Sequence, residues 1–162
     1  HAAHERILFE SILSRNLNED VEIQRFLDPF VLEVDDFQRE FLEENLESIT
    51  SLGYLVEEFG TNSMILRGVP KIISTKDPVD SFVEIINNDS RKFMNMPSSF
   101  EKIVATIACH GSVRAGDKLA ITQMQDLIDQ LKFAENSNNC PHGRPTVLNF
   151  DTKTIETYFG RR

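Results

Sequence analysis

Phe30-Val31-Leu32-Glu33-Val34-Asp35-Asp36-Phe37 decides the fold of this chain. Phe30 to Val34 is rich in apolar and β-branched residues and reads as a strand. Asp35 and Asp36 follow it, and their carboxylates suit the cap of a helix that starts there. Phe37, Phe41, Leu42, Leu46 and Ile49 then recur at helical spacing, and Gly53 is placed to stop the helix. Tyr54 to Phe59 and Ser63 to Leu66 are β-like, and Gly60-Thr61-Asn62 between them predicts a hairpin. Pro78 to Asn87 predicts a further helix, with its proline in the first turn.

Working outward, Ala2 to about Ser14 reads as a helix with Ile7, Leu8, Ile12 and Leu13 as its apolar stripe. Asn16 to Asp20 is a polar break, and Gln24-Arg25-Phe26-Leu27-Asp28-Pro29 reads as a short linker. On the C-terminal side, Ser98 and Ser99 are caps for a helix through Ile103, Ile107 and Ala108. Thr122 is expected to cap another, with Met124, Leu127, Ile128 and Leu131 on it and Gln125 completing a capping box. A strand is expected at Thr146 to Phe150 and a last helix over about Thr152 to Phe159. The expected architecture is α+β, two lobes with mixed sheets. The boundaries fall at the polar break before Gln24 and at Asn95-Met96-Pro97. They make residues 1–20 and 99–162 one discontinuous lobe, with residues 21–98 inserted into it.

Hydrophobic content of 40% and charged content of 27% place the chain among soluble globular proteins. No apolar stretch approaches the ~18 residues of a membrane span. The net charge of −9 argues against tight binding to duplex DNA by this chain alone, because phosphate neutralisation drives such affinity. No secretory signal is visible, so Cys109 and Cys140 are expected to be ligands or free thiols in preference to a disulfide. The chain opens on His1-Ala2-Ala3-His4-Glu5-Arg6 without an initiator Met, as expected of a fragment of a longer protein.

Chemistry concentrates in Cys140-Pro141-His142-Gly143-Arg144-Pro145. Thiolate and imidazole two residues apart in an extended loop point the same way and suit a borderline-soft ion such as zinc. The run is too short to fill a coordination shell. His1 and Glu5 lie four residues apart on one helix face and form a second half-site. His4 falls to the other side of His1, and Glu10 is nearly opposite. Cys109 ends an apolar helix, where a thiol is either a ligand or an ordinary buried side chain. His110 beside it is expected to point elsewhere. Arg144 is a candidate partner for a carboxylate or phosphate. Two cysteines, two histidines and Glu5 exceed what a closed tetrahedral zinc site needs, so an open catalytic site or two metals sharing the carboxylate both fit.

These stretches resemble the C-terminal endonuclease domain of the MutL DNA mismatch repair family. His1-Ala2-Ala3-His4-Glu5-Arg6-Ile7-Leu8-Phe9-Glu10 is similar to the family's Asp-Gln-His-Ala-x-x-Glu-x-x-x-x-Glu motif without its first two residues. Ala108-Cys109-His110-Gly111-Ser112-Val113-Arg114-Ala115-Gly116-Asp117 resembles the family's Ala-Cys helix end. Cys140 to Thr146 resembles its Cys-Pro-His run, and Tyr158 to Arg162 its basic C-terminus. The resemblance implies metal-dependent DNA nicking, with zinc at the site and manganese supporting activity. It assigns His1, Glu5, Cys109, Cys140 and His142 as metal ligands, and His1, Glu5 and Glu10 as catalytic. It implies a homodimer whose dimerisation lobe carries an inserted regulatory lobe. Gln24, Phe26, Leu27 and Pro29 resemble the family's segment for binding a sliding clamp. DNA binding is then weak without other domains, MutS is met through the full-length protein, and ATP acts only through the N-terminal domain. A cytoplasmic, nucleoid-associated protein of a bacterium or archaeon is implied, with no membrane role.

The motif's opening Asp precedes His1 and is absent from this chain, which puts full nicking activity in doubt. Glu5→Lys is expected to leave the fold intact and remove nicking. The alternative is a non-catalytic dimerisation and clamp-binding module with a structural zinc. A third possibility, an extracellular domain, requires Cys109 and Cys140 to be bonded.

Overall fold

The computed structural model describes residues 1–15, 21–73, 77–87 and 96–160. The polar break at 16–20, Asn95 of the second boundary, and Arg161 and Arg162 of the basic terminus lie outside them. The described residues form six α-helices and one small sheet. Strands β1 (Ile23–Glu33), β2 (Leu55–Glu58) and β3 (Ser63–Pro70) pair in the order β1-β3-β2. Both pairings are antiparallel, so the expected mixed sheets are corrected to one antiparallel sheet.

The first strand is longer than its apolar stretch suggested. β1 takes in Gln24 to Pro29, which reads as a linker in the sequence. Arg25 pairs with Gly68 and Phe30 with Leu66, so the register slips between them. Pro29 has no N–H to give to the ladder, and such a residue is tolerated where a strand bulges. At Gly68 an added Cβ would sit 3.0 Å from the Gln24 carbonyl, so glycine lets the strands close here.

Helix α1 is Ala2–Ser14 and α2 is Asp36–Ser51. The cap of α2 is the one expected. The Gln38 N–H donates to Asp35 Oδ1 at 2.8 Å, and Gln38 Oε1 accepts from the Asp35 N–H at 2.9 Å. Gly53 ends the helix at φ 97°, a left-handed conformation that glycine adopts without strain. Phe41, Leu42 and Ile49 are buried, but Phe37 is 83% exposed and Leu46 lies at the surface, which narrows the expected apolar face. On α1 the inward stripe is Glu5, Phe9 and Ile12, at spacings of four and three, whereas Leu13 is exposed.

A 3-10 turn (Lys71–Ile73), α3 (Pro78–Asn87) and α4 (Ser99–Gly111) follow. Ser98 Oγ caps α4 by accepting from the Glu101 N–H. Ile103 to Ala108 are buried without interruption, so α4 is the central helix, and it packs against α1, α2 and α3. Helix α5 (Ile121–Phe133) starts one residue before the expected cap. Ala120 is its N-cap, and the Ala120 N–H donates to Gln123 Oε1, so Thr122 already lies inside the helix. The expected strand at Thr146 to Phe150 is irregular chain, with only an isolated bridge between Asn139 and Pro145 nearby. Helix α6 (Thr152–Tyr158) is capped by Asp151.

The sheet, α2 and α3 all fall within residues 21–98. One hydrophobic core nevertheless runs across that division. It joins Phe9 and Ile12 of α1 and the buried run of α4 to Leu66, Val69, Phe82 and Ile85.

Candidate metal centre

Glu5 is the least expected side chain of the molecule, a carboxylate with no exposed surface. Burying it follows from its place on the inward stripe of α1, one turn before Phe9. His142 Nδ1 donates to its Oε1. Its Oε2 is buried with no hydrogen-bond partner. His1 Nε2 stands 3.8 Å from that same oxygen. A buried carboxylate oxygen without a donor is costly unless a cation or proton compensates it.

Ligand atoms of Glu5, Cys140 and His142 all lie within 4.8 Å of one another, and this is the only such group of three among the described residues. The loop that carries the thiol and the imidazole is tightly folded. The Cys140 N–H donates to the Arg144 carbonyl at 2.8 Å, and the Gly143 N–H returns to the Cys140 carbonyl at 2.9 Å. Gly143 takes φ 82°, which requires glycine at this turn. Cys140 is buried and its thiol pKa is raised, first by loss of solvent and then by the Glu5 charge.

His1 is held in a defined orientation. Its Nδ1 lies 3.0 Å from the Val113 carbonyl, which can only accept, so Nδ1 carries the proton. Ser112 Oγ, 2.7 Å from the same nitrogen, donates to the Cys109 carbonyl. In the neutral ring this leaves the lone pair on Nε2, the nitrogen that faces Glu5. His4 takes the neighbouring peptide, accepting at Nδ1 from the Val113 N–H.

The remaining predicted site residues stand apart from the group of three. Both cysteines are free thiols, so they are not the bonded pair of an extracellular domain. The Cys109 thiol is half-buried. Desolvation, then the Glu5 and Glu84 charges, push its pKa up to about 11, while Arg144 opposes this. Metal-free protein should therefore alkylate Cys109 at pH 8 about two orders of magnitude more slowly than free cysteine, with the rate rising as pH approaches 11. Peptide mass spectrometry after timed iodoacetamide labelling, stopped with excess free thiol, checks this. Glu10 is not in the group either. Its oxygens accept from the N–H groups of Glu135 at 2.8 Å and Asn136 at 3.1 Å. Arg144 is exposed. His110 turns away as expected and pairs with Glu84 at 3.0 Å. Gln24 is exposed but paired with Val69, before the bulge of β1; within the bulge Leu27 is 96% exposed, Pro29 is exposed, and Phe26 meets Phe30 edge to face at 4.9 Å.

Sequence reasoning missed Ser112, which is fully buried, and Arg6, which is nearly so. Nothing local in the sequence marks Ser112. The spacing of Arg6 and Glu10, four residues on one helix, was a readable signal.

Thiolate, carboxylate and imidazole are each ligands that zinc takes in proteins, so the chemistry of this group of three suits such an ion. The sequence profile described as the MutL C terminal dimerisation domain matches residues 1–119. The chain is 38% identical over 162 residues to the DNA mismatch repair protein MutL of Caldanaerobacter subterraneus subsp. tengcongensis, covering 99% of this chain and 27% of that protein. It is 38% identical over 164 residues to MutL of Clostridium tetani, covering 99% of this chain and 26% of the relative. For MutL of Phenylobacterium zucineum the figures are 33% over 164 residues, 100% and 26%. The chain thus spans about a quarter of the length of the curated relatives it matches.

Proposed function

The chain belongs to the MutL C-terminal dimerisation domain family, and from that membership we propose that it is the metal-dependent DNA-nicking and dimerisation module of a mismatch-repair protein. The observation that carries the nuclease reading is the buried Glu5 carboxylate, with one oxygen on His142, the other without a hydrogen-bond partner, and Cys140 within ligand distance. Glu5, Cys140 and His142 would hold zinc, with the Nε2 of His1 as a further donor and Cys109 at the margin. A bound divalent ion supplies Lewis acidity and lowers the pKa of its water near neutrality. The chain's own residues do the rest. The Val113 carbonyl fixes the His1 tautomer, and the loop around Gly143 holds thiol and imidazole on one side. Manganese would serve as the exchangeable ion for nicking.

The homodimer has physical support in α5. Ile121, Met124 and Ile128 recur on one face and are 84%, 47% and 55% exposed. An apolar helix face of this kind calls for a cover, and a second copy supplies one. In this reading residues 1–20 and 99–162 form the dimerisation lobe and 21–98 the regulatory lobe, with the stretch from Gln24 to Pro29 meeting the sliding clamp. Placement on DNA then depends on the clamp, MutS and the ATP-binding part of the longer protein, because the net charge of −9 disfavours unaided binding. No helix is long and apolar enough to cross a membrane among the described residues, in keeping with a cytoplasmic working place.

A chain extended by the Asp-containing pair before His1 is expected to nick supercoiled plasmid in manganese, faster with clamp present, and to stop in chelator. Zinc retained without cleavage under any of these conditions would establish the non-catalytic module instead.

A further inference from the structure

Arg6 follows Glu5 on α1 and is 8% exposed, an unusual depth for a guanidinium. Its Nε donates to the Asn139 carbonyl at 2.7 Å. The peptide thus held is the one that leads into Cys140. The guanidinium also lies over the Phe9 ring, 5.4 Å from its centroid, which fixes its orientation. One turn on, Glu10 stands 3.6 Å from Arg6 Nη1 and accepts from the Glu135 and Asn136 N–H groups. Those two N–H groups lie just past the end of α5. The same loop is closed on itself by the Thr146 N–H, which donates to the Asn138 carbonyl at 2.9 Å.

Three contacts therefore join α1 to one loop. Glu10 holds its start, Arg6 the residue before the thiol, and Glu5 the imidazole of His142. Only the last of these involves a candidate ligand. From these contacts we infer that Arg6 and Glu10 are positioning residues that brace the 135–146 loop against α1, so that Cys140 and His142 face Glu5 before any ion arrives. This rests on the reading of that cluster as a metal centre. It gives the second glutamate of the first motif a backbone-holding task in place of a catalytic one. The fork of the guanidinium suits the carbonyl and the carboxylate together, which a lysine ammonium cannot reproduce in the same geometry.

The test uses the full chain with Arg6→Gln, Arg6→Lys and Glu10→Ala. Hydrogen exchange of the metal-free proteins should show the 135–146 amides exchanging at least tenfold faster in Arg6→Gln and Glu10→Ala, with α4 and β3 unchanged. Zinc affinity, measured by competition with a chromogenic chelator, should fall by 10–100-fold, the usual effect of removing an outer-shell partner. The cobalt-substituted spectrum should change in Arg6→Gln and recover only in part in Arg6→Lys. A purely structural role would leave that spectrum intact in the folded fraction. Unchanged loop exchange overturns the brace. Wild-type zinc affinity in Arg6→Gln overturns it as well. If wild type takes up no zinc, the metal reading fails while the exchange arm still decides the brace. Should Arg6→Gln not fold, Glu10→Ala carries the same measurements, because Glu10 is more exposed and its removal opens two N–H groups to water.

Discussion

Glu5→Gln is expected to abolish zinc retention and reduce plasmid nicking to background. Glutamine keeps the volume of a side chain that has no exposed surface, so packing on α1 is preserved. It removes the charge on which a cation would sit. The loss of affinity should exceed the 10–100-fold seen for outer-shell partners, because Glu5 is a proposed ligand. The metal-free variant should melt no lower than wild type, since the substitution also removes a buried carboxylate oxygen that has no donor. Zinc should raise the melting temperature of wild type and leave that of the variant unmoved, because only a state that binds is stabilised. Equal zinc-induced shifts in the two proteins would sink the assignment. The charge-reversed variant Glu5→Lys is the wrong instrument. The burial of Glu5 overturns that variant's expected neutrality for the fold, because the position would trap an ammonium beside His142.

Phe82→Ala is expected to cost about 3–5 kcal/mol, the range for truncating a buried ring. Phe82 has no exposed surface and its ring lies 5.6 Å from that of Tyr54. Tyr54 is itself tied to α3, its hydroxyl 2.6 Å from Ser81 Oγ. Removing Phe82 leaves a void between the start of β2 and α3 that neither rigid element can collapse to fill. Against the ~5–15 kcal/mol that holds a typical domain folded, this is a large fraction of the total. A urea titration followed by far-ultraviolet circular dichroism measures it. A loss below about 1 kcal/mol would show that Phe82 does not bear the packing described.

Where local chemistry decides the structure, the sequence was legible. The Asp35 cap, the Gly53 stop, the hairpin after it and the Pro78 helix all follow from side-chain hydrogen bonding or backbone preference over a few residues. The errors arise where tertiary packing takes over. Phe37 continues the periodic stripe of α2 but lies beyond what the core covers. The linker reading of Gln24 to Pro29 failed because Pro29 is accommodated by a slip in register. Thr146 to Phe150 is rich in β-favouring residues yet has no partner strand among the described residues. For the centre, the two-residue spacing of Cys140 and His142 and the helix position of Glu5 were readable. That Glu5 is buried, and that Ser112 and Arg6 support the arrangement, depends on contacts more than 100 residues apart in the chain.

The cluster joins two distant parts of this segment, with Glu5 and His142 separated by 137 positions. On a ribosome the acid therefore emerges long before its imidazole. At ordinary elongation rates the gap is on the order of ten seconds. During it α1 can already meet α4, against which Phe9 and Ile12 pack, but Glu5 has no imidazole to pair with. Until the last stretch of this segment is released, a docked α1 would hold Glu5 without its His142 donor. Pairing of Glu5 with its imidazole is thus a late event of this segment's synthesis, timed by the arrival of the Cys-Pro-His loop.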